Sequence, residues 1–167
     1  MELIRGVHNL RQRHRGCVAT IGNYDGVHLG HRAVLDSIIE VGKQLGLPSA
    51  VMAFEPTPQE FFAAQSAPAR LTRFREKYNA LAGTGVDRFL CLRFDRAFSE
   101  LSPDAFVERI LVQGFGVRHL VAGDDFRYGY KRSGDFASLK AAGLKFGFSV
   151  QDTPSFLLEG ERVSSSR

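Results

Sequence analysis

The sequence predicts an α/β fold in which a doubly wound parallel sheet of about five strands is covered by helices on both faces, with a hairpin near the C-terminus. Short apolar runs without period-two alternation are separated by helix-like segments, which is typical of sheets buried on both faces. Of the 167 residues, 44% are hydrophobic and 24% are charged. That composition is typical of one globular domain and excludes disordered, collagen-like and coiled-coil chains.

Each predicted element has a local signal. Gly83 and Gly85 indicate the end of a helix, as glycine commonly does. Ser102 and Pro103 supply an N-cap and a first-turn proline for a helix that continues to about residue 112. The other helices are predicted at 29–45, 72–81 and 136–146. The strands are predicted at 17–22, 50–54, 89–92, 119–122 and 148–151, and 157–163 predicts a hairpin turning at 159–160.

The two cysteines and the apolar runs limit the classes of protein to consider. Cys17 and Cys91 are too few for a disulfide framework or a four-ligand zinc site, and both lie in predicted strands. We expect them to be small buried hydrophobic residues. No apolar run approaches the ~18 residues that span a bilayer, and residues 1–16 contain no apolar core of a secretory signal. These features predict a cytoplasmic protein with no membrane partner.

Charge alone does not decide the ligand. The chain has 22 Lys and Arg against 18 Asp and Glu, a formal net charge of +4. This balance suits nucleic acid and a phosphate-rich small substrate equally well. The basic N-terminal segment favours a solvated lead-in to the first strand over a nucleic-acid arm, because no aromatic stacking motif accompanies it. Its basic residues are Arg5, Arg11, Arg13, His14 and Arg15.

The strongest motif, Gly-Asn-Tyr-Asp-Gly-Val-His-Leu-Gly-His over 22–31, joins the first strand to the first helix. Glycines at 22 and 26 allow a tight turn and a close approach of backbone to ligand. His28 and His31 are three residues apart and share a face at the start of a helix. Helix N-termini bind phosphate, to which two imidazoles would add donors, and Gly30 between them leaves room for a nucleotide. A zinc site is disfavoured because no third ligand has suitable spacing.

Three further motifs follow in order. After the second strand, Pro56 and Pro58 predict a rigid wall, and Phe62 offers an aromatic face to a flat heterocycle. After the fourth strand, Gly-Asp-Asp-Phe-Arg-Tyr-Gly over 123–129 supplies carboxylates that could bind hydroxyls or water-coordinated Mg²⁺. The last motif, Val-Ser-Ser-Ser-Arg over 163–167, offers hydroxyls and a guanidinium suited to phosphate.

Together these four motifs closely resemble the prokaryotic FAD synthetases in their FMN adenylyltransferase module, within the HxGH nucleotidylyltransferase superfamily. The likeness covers essentially the whole chain and implies a Rossmann-like sheet, with a riboflavin kinase domain that would follow residue 167 and is absent from this chain. It implies that AMP passes from ATP to FMN, giving FAD and pyrophosphate with Mg²⁺, through direct attack of the FMN phosphate on the α-phosphorus.

The resemblance also implies site residues. His28 and His31 would be catalytic. ATP would be bound by Gly22, Asn23, Tyr24, Asp25, Gly26, Gly30, Ser164, Ser165, Ser166 and Arg167. The flavin would be bound by Pro56, Pro58, Phe62, Asp124, Asp125 and Tyr128. Alternatives are an HxGH nucleotidylyltransferase acting on another phosphorylated acceptor, and a non-catalytic flavin- or nucleic-acid-binding module.

Overall fold

Six parallel strands form the main sheet of the computed structural model, which describes residues 1–22, 29–63, 71–153, 157–158 and 161–162. Side chains are described over 1–22, 32–63 and 74–153. The spatial order of the strands is β1-β4-β3-β2-β5-β6. Their bounds are Glu2–Arg5 (β1), Cys17–Ile21 (β2), Ser49–Phe54 (β3), Arg88–Leu92 (β4), Val117–Ala122 (β5) and Ser149–Asp152 (β6). The predicted parallel sheet is confirmed, with six strands rather than about five.

Helices cover both faces of this sheet, as predicted. The helices are Leu29–Leu45 (α1), Pro58–Phe62 (α2), Leu71–Ala82 (α3), Arg96–Ser99 (α4), Pro103–Phe106 (α5) and Phe136–Phe146 (α6). One face of the sheet packs against α1 and α3, and the other packs against α5, its π-helical continuation and α6. Short 3₁₀ turns lie at Val7–Asn9, Gln12–His14 and Tyr130–Arg132. Cys17 and Cys91 are buried in the core, as expected.

The helix predicted to end near residue 112 continues to Gly114, but over Val107–Gly114 it is a π-helix. The Phe115 N–H donates to the Ile110 carbonyl at 2.9 Å, the five-residue spacing of that helix. Its buried residues therefore recur every four or five positions: Phe106, Val107, Ile110, Leu111 and Phe115. The wider turn keeps this row of side chains against the sheet.

The N-terminal segment agrees only in part with the sequence interpretation: its arginines are exposed, but His14 is buried and a further strand precedes the first predicted one. Glu2–Arg5 forms edge strand β1, parallel to β4. His14 is only 2% exposed, and its Nδ1 accepts from the Arg11 N–H at 2.9 Å. Its Nε2 is therefore the donor to Glu2 Oε2, at 3.1 Å. Arg13 also contacts the Glu2 carboxylate. Arg13 and His14 therefore bind the segment after β1 to the first residue of that strand.

The C-terminal hairpin is confirmed by the antiparallel pairing of Leu157–Leu158 (β7) with Glu161–Arg162 (β8). The predicted turn at 159–160 lies outside the described residues. No helix within the described ranges is both long enough and apolar enough to cross a lipid bilayer.

Candidate functional site

The carboxyl edge of the sheet contains a point at which the strand order reverses. Strands β2 and β5 are neighbours, yet the chain proceeds from β2 outward to β3 and from β5 outward to β6. Ligands of doubly wound sheets bind beyond the carboxyl ends of the strands at such a point. Gly22 directly follows β2, and its N–H donates to the Met52 carbonyl at 3.1 Å. Gly123 directly follows β5. Two of the predicted motifs thus leave the sheet from adjacent strands.

Only part of the first motif falls within the described residues. Helix α1 begins at Leu29, so Gly30 and His31 lie in its first turn, where the backbone is described but the side chains are not. This turn has N–H groups without intrahelical acceptors and carries partial positive charge, which suits an anion. The predicted residues outside the described ranges are Asn23, Tyr24, Asp25, Gly26, His28, Ser164, Ser165, Ser166 and Arg167.

The segment after β3, where the sequence predicts a rigid wall at Pro56 and Pro58, contains the start of a short helix. Thr57 is the N-cap of α2: its hydroxyl accepts from the Glu60 N–H at 3.2 Å, and its own N–H donates to the Glu60 carboxylate at 3.1 Å. Pro58 occupies the first turn, where its missing N–H costs no hydrogen bond. Pro56, whose peptide bond to Glu55 is cis, joins β3 to this cap. The short helix presents Phe62, which is 71% exposed.

Eight aromatic rings connect helix α2, which follows β3, with the loop after β5, and we call them the aromatic chain. They come from five separate stretches of sequence at the carboxyl edge of the sheet. Consecutive ring centroids are 5.1–6.1 Å apart, mostly in edge-to-face geometry. In spatial order the members are Phe62, Phe61, Phe94, Phe54, Phe98, Phe106, Tyr128 and Phe126. The aromatic chain therefore connects the exposed ring of Phe62 with the loop after β5 through rings that belong to the core or pack against it.

Asp124 and Asp125 lie in a turn at the end of β5, closed by the Phe126 N–H donating to the Gly123 carbonyl at 3.0 Å. Both carboxylates belong to exposed residues. Asp125 Oδ1 folds back over Gly123, where a Cβ would approach it to 2.8 Å. The compact turn thus keeps a carboxylate against the backbone at the point where the strand order reverses.

Tyr128 is buried, and its ring is held in place within this loop. It is 7% exposed and stacks on Phe126 at 5.6 Å. Its hydroxyl lies 3.0 Å from Ser138 Oγ, and burial raises the pKa of the phenol. Backbone hydrogen bonds in both directions between Tyr128 and Gly134 close the intervening loop. The phenol ring is thereby held in one orientation beside the aromatic chain.

The sequence interpretation missed most of the aromatic chain, including Phe54, Phe94 and Phe98. Each of these residues alone resembles a core phenylalanine, and the chain contains 14 of them. A usable signal was their position, since Phe54 ends β3 and Phe94 follows β4 by two residues. Helix α4, which carries Phe98, was also missed; its N-cap Asp95 accepts from the Phe98 N–H at 2.8 Å.

Comparisons with known proteins give the family. A family model described as FAD synthetase matches residues 10–167. The bifunctional riboflavin kinase/FMN adenylyltransferase of Pseudomonas fluorescens is 53% identical over 167 residues, covering 100% of this chain and 53% of that protein. The protein of the same name from Escherichia coli K12 is 52% identical, covering 99% and 53%. The chain therefore spans about half the length of these relatives.

A solved structure is similar in fold. A crystal structure described as a macrolide-efflux protein from Streptococcus pneumoniae has a TM-score of 0.76 and 22% sequence identity, covering 99% of this chain and 54% of that one. At this identity the likeness shows the fold alone, and it confirms the α/β architecture.

Proposed function

The chain belongs to the FAD synthetase family, and on that premise we propose that it transfers the adenylyl group of ATP to FMN, giving FAD and pyrophosphate. The observation that carries the proposal is that Gly22 and Gly123, which begin the motifs over 22–31 and 123–129, directly follow the neighbouring strands β2 and β5. A phosphate-binding helix start and a wall for a flat heterocycle would then face one cleft. We propose that the kinase activity named in the relatives belongs to the part of their length that this chain does not match.

In the proposed reaction, an oxygen of the FMN phosphate attacks the α-phosphorus of ATP. The new P–O bond forms as the bond to the β-phosphate bridging oxygen breaks, and pyrophosphate leaves with the electron pair. No covalent enzyme intermediate is needed, so catalysis consists of positioning and charge stabilisation. His28 and His31 would donate to phosphate oxygens at the start of α1, where the free N–H groups of the helix add to the same field.

The remaining predicted residues would bind the two substrates. The residues proposed for ATP are Gly22, Asn23, Tyr24, Asp25, Gly26, Gly30, Ser164, Ser165, Ser166 and Arg167. For the flavin, Phe62 offers an exposed ring at one end of the aromatic chain, with Pro56 and Pro58 beside it. Asp124 and Asp125 would accept from ribityl or ribose hydroxyls. Tyr128 would act through its ring, because its hydroxyl already contacts Ser138.

The described residues include no group of three acidic, His or Cys side chains arranged to hold a metal ion. That agrees with the chemistry of Mg²⁺, which keeps most of its water and is bound through one or two carboxylates together with substrate phosphates. Asp124 and Asp125 are oxygen donors of this kind at the carboxyl edge. When bound with ATP, Mg²⁺ would neutralise phosphate charge.

The test is to supply ATP and Mg²⁺ with a panel of acceptors and to measure pyrophosphate release and FAD. FMN should be converted to FAD, and riboflavin should give no FMN. Turnover with a non-flavin phosphomonoester and none with FMN would contradict the proposed acceptor. FMN binding without any pyrophosphate release would favour the non-catalytic alternative.

His31→Ala tests the role of the helix start. We expect the rate to fall by roughly 10²–10³, as for other preorganised donors to transition-state charge, with little change in FMN affinity. His8→Ala is the control, because His8 is exposed and follows edge strand β1, which β4 and β3 separate from β2. Equal rates for the two folded variants would remove His31 from the mechanism.

A further inference from the structure

A buried ion pair joins helix α3 to the segment that begins the proposed flavin wall. Lys77 in α3 is 4% exposed, and its Nζ lies 3.2 Å from Oε2 of Glu55, whose side chain is 14% exposed. Burying two charges costs about as much as their attraction returns, so such a pair is weak evidence of a contribution to stability. Removing one partner is costly, because the other charge then stays buried without compensation. The pair therefore constrains where Glu55 can lie.

The position of Glu55 at the end of β3 shows which part of the chain the ion pair fixes. Successive strand residues point to opposite faces: Ala53 packs in the core beneath α1 and α3, and Phe54 packs in the core on the other face. Glu55 continues the alternation toward α3, where Lys77 meets it. Its N–H also donates to the Leu92 carbonyl at 2.9 Å, extending the sheet by one residue. The residue directly before Pro56 is thus fixed by β4 through its backbone and by α3 through its side chain.

We propose that Lys77 is a positioning residue that acts through Glu55 to hold segment 56–58 in place for the flavin. This inference rests on the proposed function. Without the Lys77 ammonium, the Glu55 carboxylate would gain solvation only by turning outward. The backbone of Glu55 stays paired with β4, and the Thr57 cap stays in place. Pro56 lies between these two anchored residues, so the outward turn of Glu55 would displace Pro56. FMN binding would weaken, whereas the nucleotide-binding start of α1 would keep its geometry.

The experiment measures FMN and Mg²⁺-ATP binding separately, by calorimetry, in the wild-type chain and in Lys77→Met. We expect the Kd for FMN to rise about tenfold and the Kd for ATP to stay within about twofold, a tenfold change being ~1.4 kcal/mol. Arg75→Met is the matched control, because Arg75 lies on the same helix and is exposed. The double variant Glu55→Gln/Lys77→Met removes both charges of this pair, so Glu55 no longer carries a buried charge and the FMN affinity should recover toward that of the wild type.

The outcomes separate positioning from general support of the fold. Unchanged FMN affinity in Lys77→Met overturns the inference. The inference is also overturned if Lys77→Met loses FMN and ATP affinity equally and the double variant recovers neither. If Lys77→Met does not fold, Lys77→Gln removes the ammonium while keeping a polar side chain, and it should show the same selective loss; unchanged FMN affinity in that variant overturns the inference. A wild-type chain that binds FMN without making FAD contradicts the proposed function alone, and one that binds no FMN overturns both.

Discussion

Replacing Gly134 by alanine should displace Tyr128 and unsettle the loop after β5. A Cβ at Gly134 would lie 2.7–2.8 Å from three atoms of the Tyr128 ring, well inside the optimal carbon–carbon separation of about 3.5–4.0 Å. The backbone of Gly134 does not have a positive φ, so alanine meets no conformational obstacle there. The collision with the ring is the main cost of the substitution.

The size of the effect follows from how tightly the ring is held. To relieve the overlap the phenol must move by roughly 0.7 Å or more, and its hydroxyl lies 3.0 Å from Ser138 Oγ. That movement would take the hydrogen bond outside normal range. Overpacking together with the lost hydrogen bond should cost about 2–4 kcal/mol of unfolding free energy. For a chain of this size the expected fall in Tm is roughly 5–15 °C.

Urea and thermal unfolding followed by circular dichroism measure this change. Gly83→Ala is the control, because Gly83 also lacks a positive φ and an added Cβ there would approach nothing closer than 3.7 Å. Its stability should stay within about 0.5 kcal/mol of the wild type. Since Tyr128 belongs to the aromatic chain, Gly134→Ala should also weaken FMN binding. Equal unfolding free energies for the two variants would refute the argument that Gly134 is required by the ring packed against it.

Two further predictions concern titratable groups. Hydrogen bonds from Arg13 and then His14 lower the pKa of Glu2 from 4.5 to about 2, so the stability they add is present above pH 4.5 and is lost as the pH falls toward 2. Glu2→Gln should therefore be less stable than the wild type at pH 7. The difference in unfolding free energy should be less than about 1 kcal/mol, because the carboxylate is partly exposed. A difference that does not shrink as the pH falls toward 2 would contradict the role of these hydrogen bonds. Burial raises the pKa of Cys17 to about 12 and that of Cys91 to about 11. Both thiols should therefore react slowly with an alkylating reagent at pH 8 and rapidly in denaturant. Rapid labelling of the native protein would contradict their burial.

The interior of the fold was predictable because burial on both faces of a strand leaves a direct mark in the sequence. Strands β2 and β3 are buried at every position, so they are continuous apolar runs. The bounds of α1 and α6 agree with the prediction to the residue. A glycine-rich stretch of sequence precedes α1, and at the end of α6 Gly147 adopts the left-handed conformation that glycine favours.

Elements at the edge of the sheet were missed because contacts distant in sequence decide them. β1 has four residues with a charge at each end, and neither its composition nor its length distinguishes it from a polar lead-in. Its strand conformation depends on β4, which follows it by more than eighty residues: the Glu2 N–H donates to the Asp87 carbonyl, and the Gly6 N–H to the Cys91 carbonyl. Helix α2 was missed for a different reason: its start depends on the local cap at Thr57, in a stretch where the sequence predicts a rigid wall at Pro56 and Pro58.

The same distinction between local and distant contacts explains which parts of the candidate site were predicted from the sequence. A local motif predicts the proposed phosphate site, because two glycines, a helix start and two histidines lie within ten residues of sequence. The aromatic chain has no such local signature, since its rings come from loops and helices spread between Phe54 and Tyr128. Parallel pairing gathers them, because it brings the carboxyl ends of all the strands to one edge of the sheet. Phe54, which ends a strand, belongs to the core, whereas Phe94, which closely follows one, is only partly buried. A partly buried aromatic residue that closely follows a parallel strand, as Phe94 does, is therefore the better candidate for contact with a ligand at this edge.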